Sequence, residues 1–429
     1  MSESDNSVDV VICGAGMVGL ALALALVPSG LRLALLDRGP PSPATAHWLP
    51  TDTGLCPPQA LRESLSLPTF GTRVSALTPA SRDLLAGLGV WPLLEQLRVC
   101  PYTDMRVWDA DGTGAIHFAS NELHLPCLGH IAENMLITQA LNAALTGHTA
   151  VRRFQPDTLV ALERHVDRKG GSEQVLTLAS GAELHCRLLI GADGASSQVR
   201  ELAGFPVRSW DYGHRALVAT VRTERPHQNT AWQRFMTTGP LAFLPLTLPG
   251  SHEQHHYCSI VWSCIPALAE ELLALDDGAF ARRLEQAFEA RLGAIATVSP
   301  RSSFPLRQLH ANDYVREGIA LVGDAAHVIH PLAGQGVNLG FADVRSLAAV
   351  LMAAGARDDD PASAQVLGRY QRQRKPANLG MMLTMEGFKR VFGSEQLTLR
   401  WLRNTGLKTA AALTPLKHEM MSRAMGLKD

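Results

Sequence analysis

The sequence predicts an α/β protein in which a Rossmann-like dinucleotide-binding lobe carries an inserted antiparallel β-sheet lobe and ends in a helical segment. Three observations predict it. A β-branched run over residues 8–13 stops at the turn Gly14-Ala15-Gly16-Met17-Val18-Gly19 and is followed by a Leu/Ala-rich helical stretch over residues 17–27. Two later apolar runs, residues 188–190 and 319–322, lead into similar turns that carry an aspartate. Between them, residues 216–223, 232–236, 241–246 and 257–262 read as short strands separated by Gly, Pro, His and Asn turns.

The length of 429 residues exceeds one ordinary domain and suits two or three lobes sharing a core. Its 39 Lys+Arg against 40 Asp+Glu leave a net charge of -1, so no global field favours nucleic acid as a partner. Cys13, Cys56, Cys100, Cys127, Cys186, Cys258 and Cys264 are scattered singly, without CxxC pairs, and read as reduced thiols of a cytoplasmic protein with no metal centre. The acidic N-terminus lacks the basic flank of an export signal. The apolar run at 17–27 is shorter than the ~20 residues that span a bilayer, so any membrane contact is expected to be peripheral.

A second strand over residues 31–36 ends at Asp37, after which residues 39–66 form a Pro-, Thr- and Ala-rich surface excursion. Residues 266–292 and 338 to the end are helical in pattern, with breaks at 355–361 and 392–395. The expected division is a dinucleotide lobe over 1–204 and 311–375, a substrate lobe of antiparallel sheet plus helix over 205–310, and C-terminal helices over 376–429.

In the first turn, Gly14 makes the bend, Gly16 lets backbone N–H groups approach a pyrophosphate, and Gly19 lets helix pack on strand. Asp37, about 21 residues after Gly16 at the end of the next strand, is placed to accept from ribose hydroxyls, with Arg38 beside it as a further cofactor contact. This turn alone does not choose between NAD and FAD.

Two more motifs do. Gly191-Ala192-Asp193-Gly194 with the following residues to Arg200, and Gly323-Asp324-Ala325-Ala326-His327, each follow a strand. In this order the three motifs resemble the fingerprints of the flavin hydroxylase superfamily related to para-hydroxybenzoate hydroxylase. The resemblance implies FAD as cofactor and that superfamily's fold. It puts Asp324 on the ribityl chain, and the amides of Gly334, Gln335 and Gly336, with Asn338 following, at the N1–C2=O edge of a reduced flavin, where a helix start stabilises negative charge. No second GxGxxG is present. The resemblance therefore implies that NADPH or NADH visits the flavin transiently, near Asp193.

The likeness narrows to the UbiH/UbiF/VisC family of ubiquinone-biosynthesis hydroxylases and covers nearly the whole chain. It is carried by TRVSAL at 72–77, GHIAEN at 129–134, QRF at 233–235, GPLAFLPL at 239–246, SIVWS at 259–263 and the stretch 330–340. VWD at 107–109, WDY at 210–212, EGF at 386–388 and AMGL at 424–427 are most similar to the UbiI subgroup, the 2-polyprenylphenol hydroxylases acting at ring carbon C5. The departure from the family is the long 40–70 segment, read as surface decoration with a cap over the substrate entrance as the alternative.

The resemblance implies that NAD(P)H reduces FAD, that dioxygen reacts at the flavin C4a carbon to give the hydroperoxide, and that one oxygen passes to an electron-rich polyprenylated phenol. It sets Pro331 beside the reacting face and Arg73 and Asn134 near the flavin. For His327 and His330 a structural role is expected over a metal or general-base role, and His252, His255 and His256 read as a solvated turn. Met382, Leu383, Met385, Phe388, Val391 and Phe392 form an apolar stripe in a basic tail, suited either to packing on the protein's own lobe or to a partner subunit or the inner-membrane surface. Two other functions stay open: a hydroxylase of a small soluble aromatic, and a flavin-bearing scaffold subunit of a biosynthetic complex.

Overall fold

A computed structural model describes residues 6–40, 49–51, 54–56, 70–110, 114–166, 172–249, 251–329 and 336–392. The chain opens with β1 (Ser7–Cys13), α1 (Met17–Leu26) and β2 (Leu33–Leu36). There follow β3 (Val74–Leu77), α2 (Pro79–Gly87), β4 (Val99–Tyr102), β5 (Asp104–Asp109), β6 (Ala115–Ala119), β7 (Gly129–Glu133) and α3 (Asn134–Leu145). Next come β8 (Val151–Phe154), β9 (Leu159–Val166), β10 (Ser172–Leu178), β11 (Glu183–Gly191) and the short α4 (Gln198–Leu202). The rest runs β12 (Val207–Thr223), β13 (Thr230–Phe235), β14 (Leu241–Leu246), β15 (Tyr257–Cys264), α5 (Pro266–Ala274), α6 (Asp277–Ala287), β16 (Ile295–Val298), β17 (Ser302–Ala311), β18 (Ile319–Leu321), α7 (Gly336–Gly355) and α8 (Ala364–Phe392).

The first sheet has the order β8-β2-β1-β11-β10-β9, with β18 also on β11. β8, β2, β1, β11 and β18 run parallel, whereas β10 pairs antiparallel with β11, and β9 antiparallel with β10. Parallel strands covered on both faces need uninterrupted apolar runs, and Val10, Val11, Ile12, Leu33, Ala34 and Leu35 are fully buried. Helix α1 packs against both α3 and α7, which is why its sequence is apolar on all sides. Helix α7 is long and apolar enough to cross a membrane by composition, but most of it is buried inside the protein.

The second sheet has the order 327–328, β17, β12, β15, β14, β13, β5, β6, with β16 on β12. It is antiparallel except where β13 runs parallel to β5. One face packs on α5 and α6 through Leu217, Phe243, Ile260, Trp262, Phe280 and Phe288, with Phe243 and Phe288 stacked at 3.8 Å between centroids. Residues 104–119, which lie within the expected 1–204 segment, thus contribute two strands to the sheet of the 205–310 segment. A three-stranded sheet, β3-β7-β4, meets the other face of the large sheet, where Ala76 and Ile131 pack with Leu246 and Tyr257.

Helix α8 contains Pro376 and joins the lobes near its end. Met382 packs with Ile329 and Leu339, and Met385 with Val107, Ile116 and Phe235, whereas Leu383 is exposed. As far as Met385 the apolar stripe covers the protein's own surface. The remaining tail residues, and most of the 40–70 excursion, lie outside the described side chains.

Buried histidines set an acid limit on this fold. His227 is fully buried, its Nε2–H donating to the Leu246 carbonyl at 3.0 Å while Nδ1 accepts from the Asn229 N–H at 3.0 Å. Both ring nitrogens are used by the neutral form, and burial pushes the pKa down to about 4. Burial does the same to His130 and His310. An unfolded histidine protonates near pH 6.5, so between about 6.5 and about 4 the unfolded chain binds more protons and stability falls as the pH drops. Urea midpoints at pH 7, 5.5 and 4.5 are expected to decrease steadily; a flat profile would contradict the neutral-histidine assignment.

Candidate active site

The three glycine-bearing turns converge at the start of α1. Gly14 has φ +109°, its N–H donates to the Leu36 carbonyl at 2.7 Å, and a Cβ there would lie 2.3 Å from the Ala192 carbonyl oxygen. A Cβ on Gly19 would lie 1.8 Å from the Gly14 carbonyl oxygen. A Cβ on Gly340 of α7 would meet Val18 at 2.6 Å, and Gly323 also abuts Val18. Internal packing therefore explains those glycines. It does not explain Gly16, where an added Cβ meets nothing within 4 Å and φ is an ordinary -77°. The open side of Gly16 suits a pyrophosphate approaching the backbone at a helix N-terminus, and the residues present fit FAD there.

Asp37 has a second task that the sequence pattern does not reveal. Its Oδ2 accepts from the Ala15 N–H at 2.6 Å and its Oδ1 from the Gly39 N–H at 2.7 Å, so it pins the turn and leaves one lone pair on each oxygen for ribose hydroxyls. Arg38 is exposed next to it. Asp193 turns toward α4, its Oδ2 accepting from the N–H groups of Gln198 and Val199 at 2.7 and 3.1 Å.

Asp324 is exposed between buried Gly323 and buried Ala325. Desolvation raises its pKa, opposed by the nearby charges of His327 and Arg73. A carboxylate in that setting is a strong acceptor for the hydroxyls of a ribityl chain. Arg73 is exposed, with its guanidinium 5.5 Å from the Phe304 ring on β17. Its segment is held by Glu133 and Asn134: Glu133 Oε2 accepts from the Gly71 N–H at 2.6 Å, and the Asn134 N–H donates to the Arg73 carbonyl at 3.0 Å. Glu133 is itself paired with buried Arg98, and the Asn134 carboxamide accepts from Ser75 Oγ at 2.7 Å. Arg73→Ala is expected to weaken FAD binding about 10-fold, the scale of one charge-assisted contact, without lowering the melting temperature of the apo-chain. Unchanged FAD content and turnover would reduce Arg73 to a surface arginine.

The expectation for Asn338 changes. Its carboxamide is buried and faces inward, accepting from the Thr78 N–H at 3.0 Å and Ser81 Oγ at 2.7 Å and donating to the Ala76 carbonyl at 2.8 Å. Asn338 ties α7 to β3 and α2, and its side-chain oxygen already serves three donors, two of them from Thr78. Gly336 opens α7, while Pro331, Gly334 and Gln335 lie outside the described residues.

A buried polar network behind the Gly323-Asp324 turn was missed by sequence reasoning. The carboxylate bonded to His327 is Asp343 of α7, at 2.5 Å, rather than Asp324. Asp343 also accepts from the Gly323 N–H at 3.1 Å, Arg374 Nε at 2.9 Å and Asn378 Nδ2 at 3.2 Å. Desolvation alone would raise its pKa, but His327 and Arg374 outweigh it and hold the carboxyl below its ordinary range. His327 is thus tied through Asp343 to the Gly323 turn and to α7. His256 Nδ1 meets the Thr223 carbonyl at 2.9 Å, and the described residues contain no cluster of three His, Cys, Asp or Glu placed to hold a metal.

Beyond Arg73, an apolar pocket of about 100 Å³ opens between the small sheet and the large one. Val74, Ala76 and Ile131 line one side, and Ala242, Leu244 and Val261 the other. Such a pocket excludes water from a bound aromatic ring. When FAD is bound, the cofactor supplies the redox and oxygen chemistry, while this chain's residues bind it, orient it and keep the pocket dry.

The chain is similar to known proteins in sequence and in fold. The family model for the FAD binding domain matches residues 113–385. The 3-demethoxyubiquinol 3-hydroxylase of Escherichia coli is 37% identical over 424 residues, covering 99% of this chain and 100% of that protein. The ubiquinone hydroxylase UbiL of Rhodospirillum rubrum is 36% identical over 424 residues, covering 99% of this chain and 91% of its own length. In fold, the crystal structure of p-nitrophenol 4-monooxygenase PnpA from Pseudomonas putida superposes with a TM-score of 0.72 at 18% identity, covering 97% of each chain. With convergent flavin turns, a full-length match and that fold, the chain belongs to the FAD-dependent monooxygenases of the UbiH/UbiF/COQ6 type, the ubiquinone-biosynthesis hydroxylases.

Proposed function

We propose that this chain hydroxylates the aromatic ring of a polyprenylated phenol in ubiquinone biosynthesis, using FAD, dioxygen and NADPH or NADH. The observation that carries the reading is the apolar pocket between the small sheet and the large one, in a chain 37% identical, end to end, to a demethoxyubiquinol hydroxylase. A dry pocket with few polar groups suits a ring bearing a hydrocarbon chain better than a small charged aromatic. The favoured position is C5, supported by VWD at 107–109, WDY at 210–212 and EGF at 386–388. A second position is favoured by the name of the E. coli relative, a 3-hydroxylase. Work close to the inner membrane, at its cytoplasmic surface or with other ubiquinone-biosynthesis proteins, follows from the insolubility of such a substrate.

The test is NADPH oxidation by the FAD-loaded chain with and without a 2-polyprenylphenol, with NMR assignment of the product. Oxygen at C5 supports the favoured reading, and oxygen at another ring carbon supports the second. NADPH consumption that yields a hydroxylated small soluble aromatic but no hydroxylated prenylated phenol would overturn both.

A further inference from the structure

We propose that Gln233 binds the ring oxygen of the aromatic substrate and thereby sets which ring carbon is offered for hydroxylation; the inference rests on the phenol-hydroxylase reading. Gln233 lies in β13, and the register Gln233–Ala242–Val261 across β13, β14 and β15 puts three side chains in one row on the pocket side of the sheet. Its neighbours there are Ala, Leu and Val, any of which would fill the face without an unmet polar group. Gln233 is 7% exposed, and its carboxamide makes no hydrogen bond to any described residue. The next residue shows the contrast: Arg234 bonds the Ala287 carbonyl and pairs with Glu289. An amide on an otherwise apolar pocket wall is placed to bond the hydroxyl of a ligand that enters the pocket. A carboxamide offers both an N–H donor and a carbonyl acceptor, so it can pair with a phenol hydroxyl in either direction. Ser263, in the same wall and 3% exposed, brings a hydroxyl group to this pocket. A site built to pair a substrate hydroxyl discriminates strongly against the analogue lacking it.

The experiment uses the FAD-loaded full chain, parent and Gln233→Leu, with 2-prenylphenol and prenylbenzene as probes. Binding is read from the change each probe causes in flavin absorbance, and product per NADPH is measured for the phenol. The expected result is about 10-fold weaker binding of 2-prenylphenol by the variant, a matching loss of product per NADPH, and equal binding of prenylbenzene by both chains. Equal binding of the phenol by parent and variant would overturn the Gln233 assignment alone. A parallel loss of both probes would also overturn it, because the effect would then be one of packing. A parent chain that binds neither probe would remove the phenol-hydroxylase reading and this inference with it.

Discussion

Gly16→Ala is expected to yield an apo-chain that folds and melts like the parent but binds FAD about 100-fold more weakly. The two halves of that result have separate causes. An added Cβ at Gly16 meets no protein atom within 4 Å, and its φ of -77° is open to any residue, so the fold has no objection to alanine. The same methyl group stands where backbone and pyrophosphate must approach closely, and about 100-fold corresponds to roughly 2.7 kcal/mol. Gly19→Ala is the contrasting case. Its Cβ would fall 1.8 Å from the Gly14 carbonyl oxygen, so stability and FAD binding are expected to fail together. Flavin fluorescence titrations combined with apo-chain melts separate the two, and parental FAD affinity in Gly16→Ala would contradict the assignment.

Asp343→Ala is expected to destabilise the chain by about 3–5 kcal/mol, because removing one partner leaves buried charge uncompensated. Asp343 is fully buried and receives hydrogen bonds from Gly323, Arg374 and Asn378 while bonded to His327. A fall in Tm of roughly 5–10 °C follows, accompanied by loss of FAD, since the Gly323 N–H that fixes the Asp324 turn loses its acceptor. The double variant Asp343→Leu with Arg374→Leu is expected to be less damaged than the sum of the two single leucine variants. Additive losses would show that the two side chains act independently.

Local pattern was sufficient for the elements that hold the cofactor. The run at 8–13, the turn after it and the apolar helix behind it are β1 and α1 because strand, turn and helix preferences act over neighbouring residues. Four strands of the large sheet, β12 to β15, are legible for the same reason, although β12 extends nine residues earlier than its apolar pattern, to Val207, and β16 and β17 carry no such pattern. Pairings between distant segments were not legible. The parallel match of β13 with β5 joins residues more than a hundred positions apart, and nothing local to 104–109 announces it. Side-chain partners show the same limit. Asn338 lies in the first turn of α7, but only three dimensions reveal that its carboxamide faces Thr78 and Ser81. For Asp343 a signal was available: an acidic residue within the apolar helical stretch FADVRSLAAV, followed a turn and more of chain later by Arg374 in another helix. A charge at an apolar position calls for a buried partner, and here there are two.

The most direct test of this account is isotopic. The FAD-loaded chain is supplied with NADPH, a 2-polyprenylphenol and dioxygen enriched in oxygen-18, and the hydroxylated product is analysed by mass spectrometry. One labelled oxygen atom on the ring per molecule of product is the predicted result. Product whose new oxygen comes from water, or labelled dioxygen consumed with no ring hydroxylation, would contradict it.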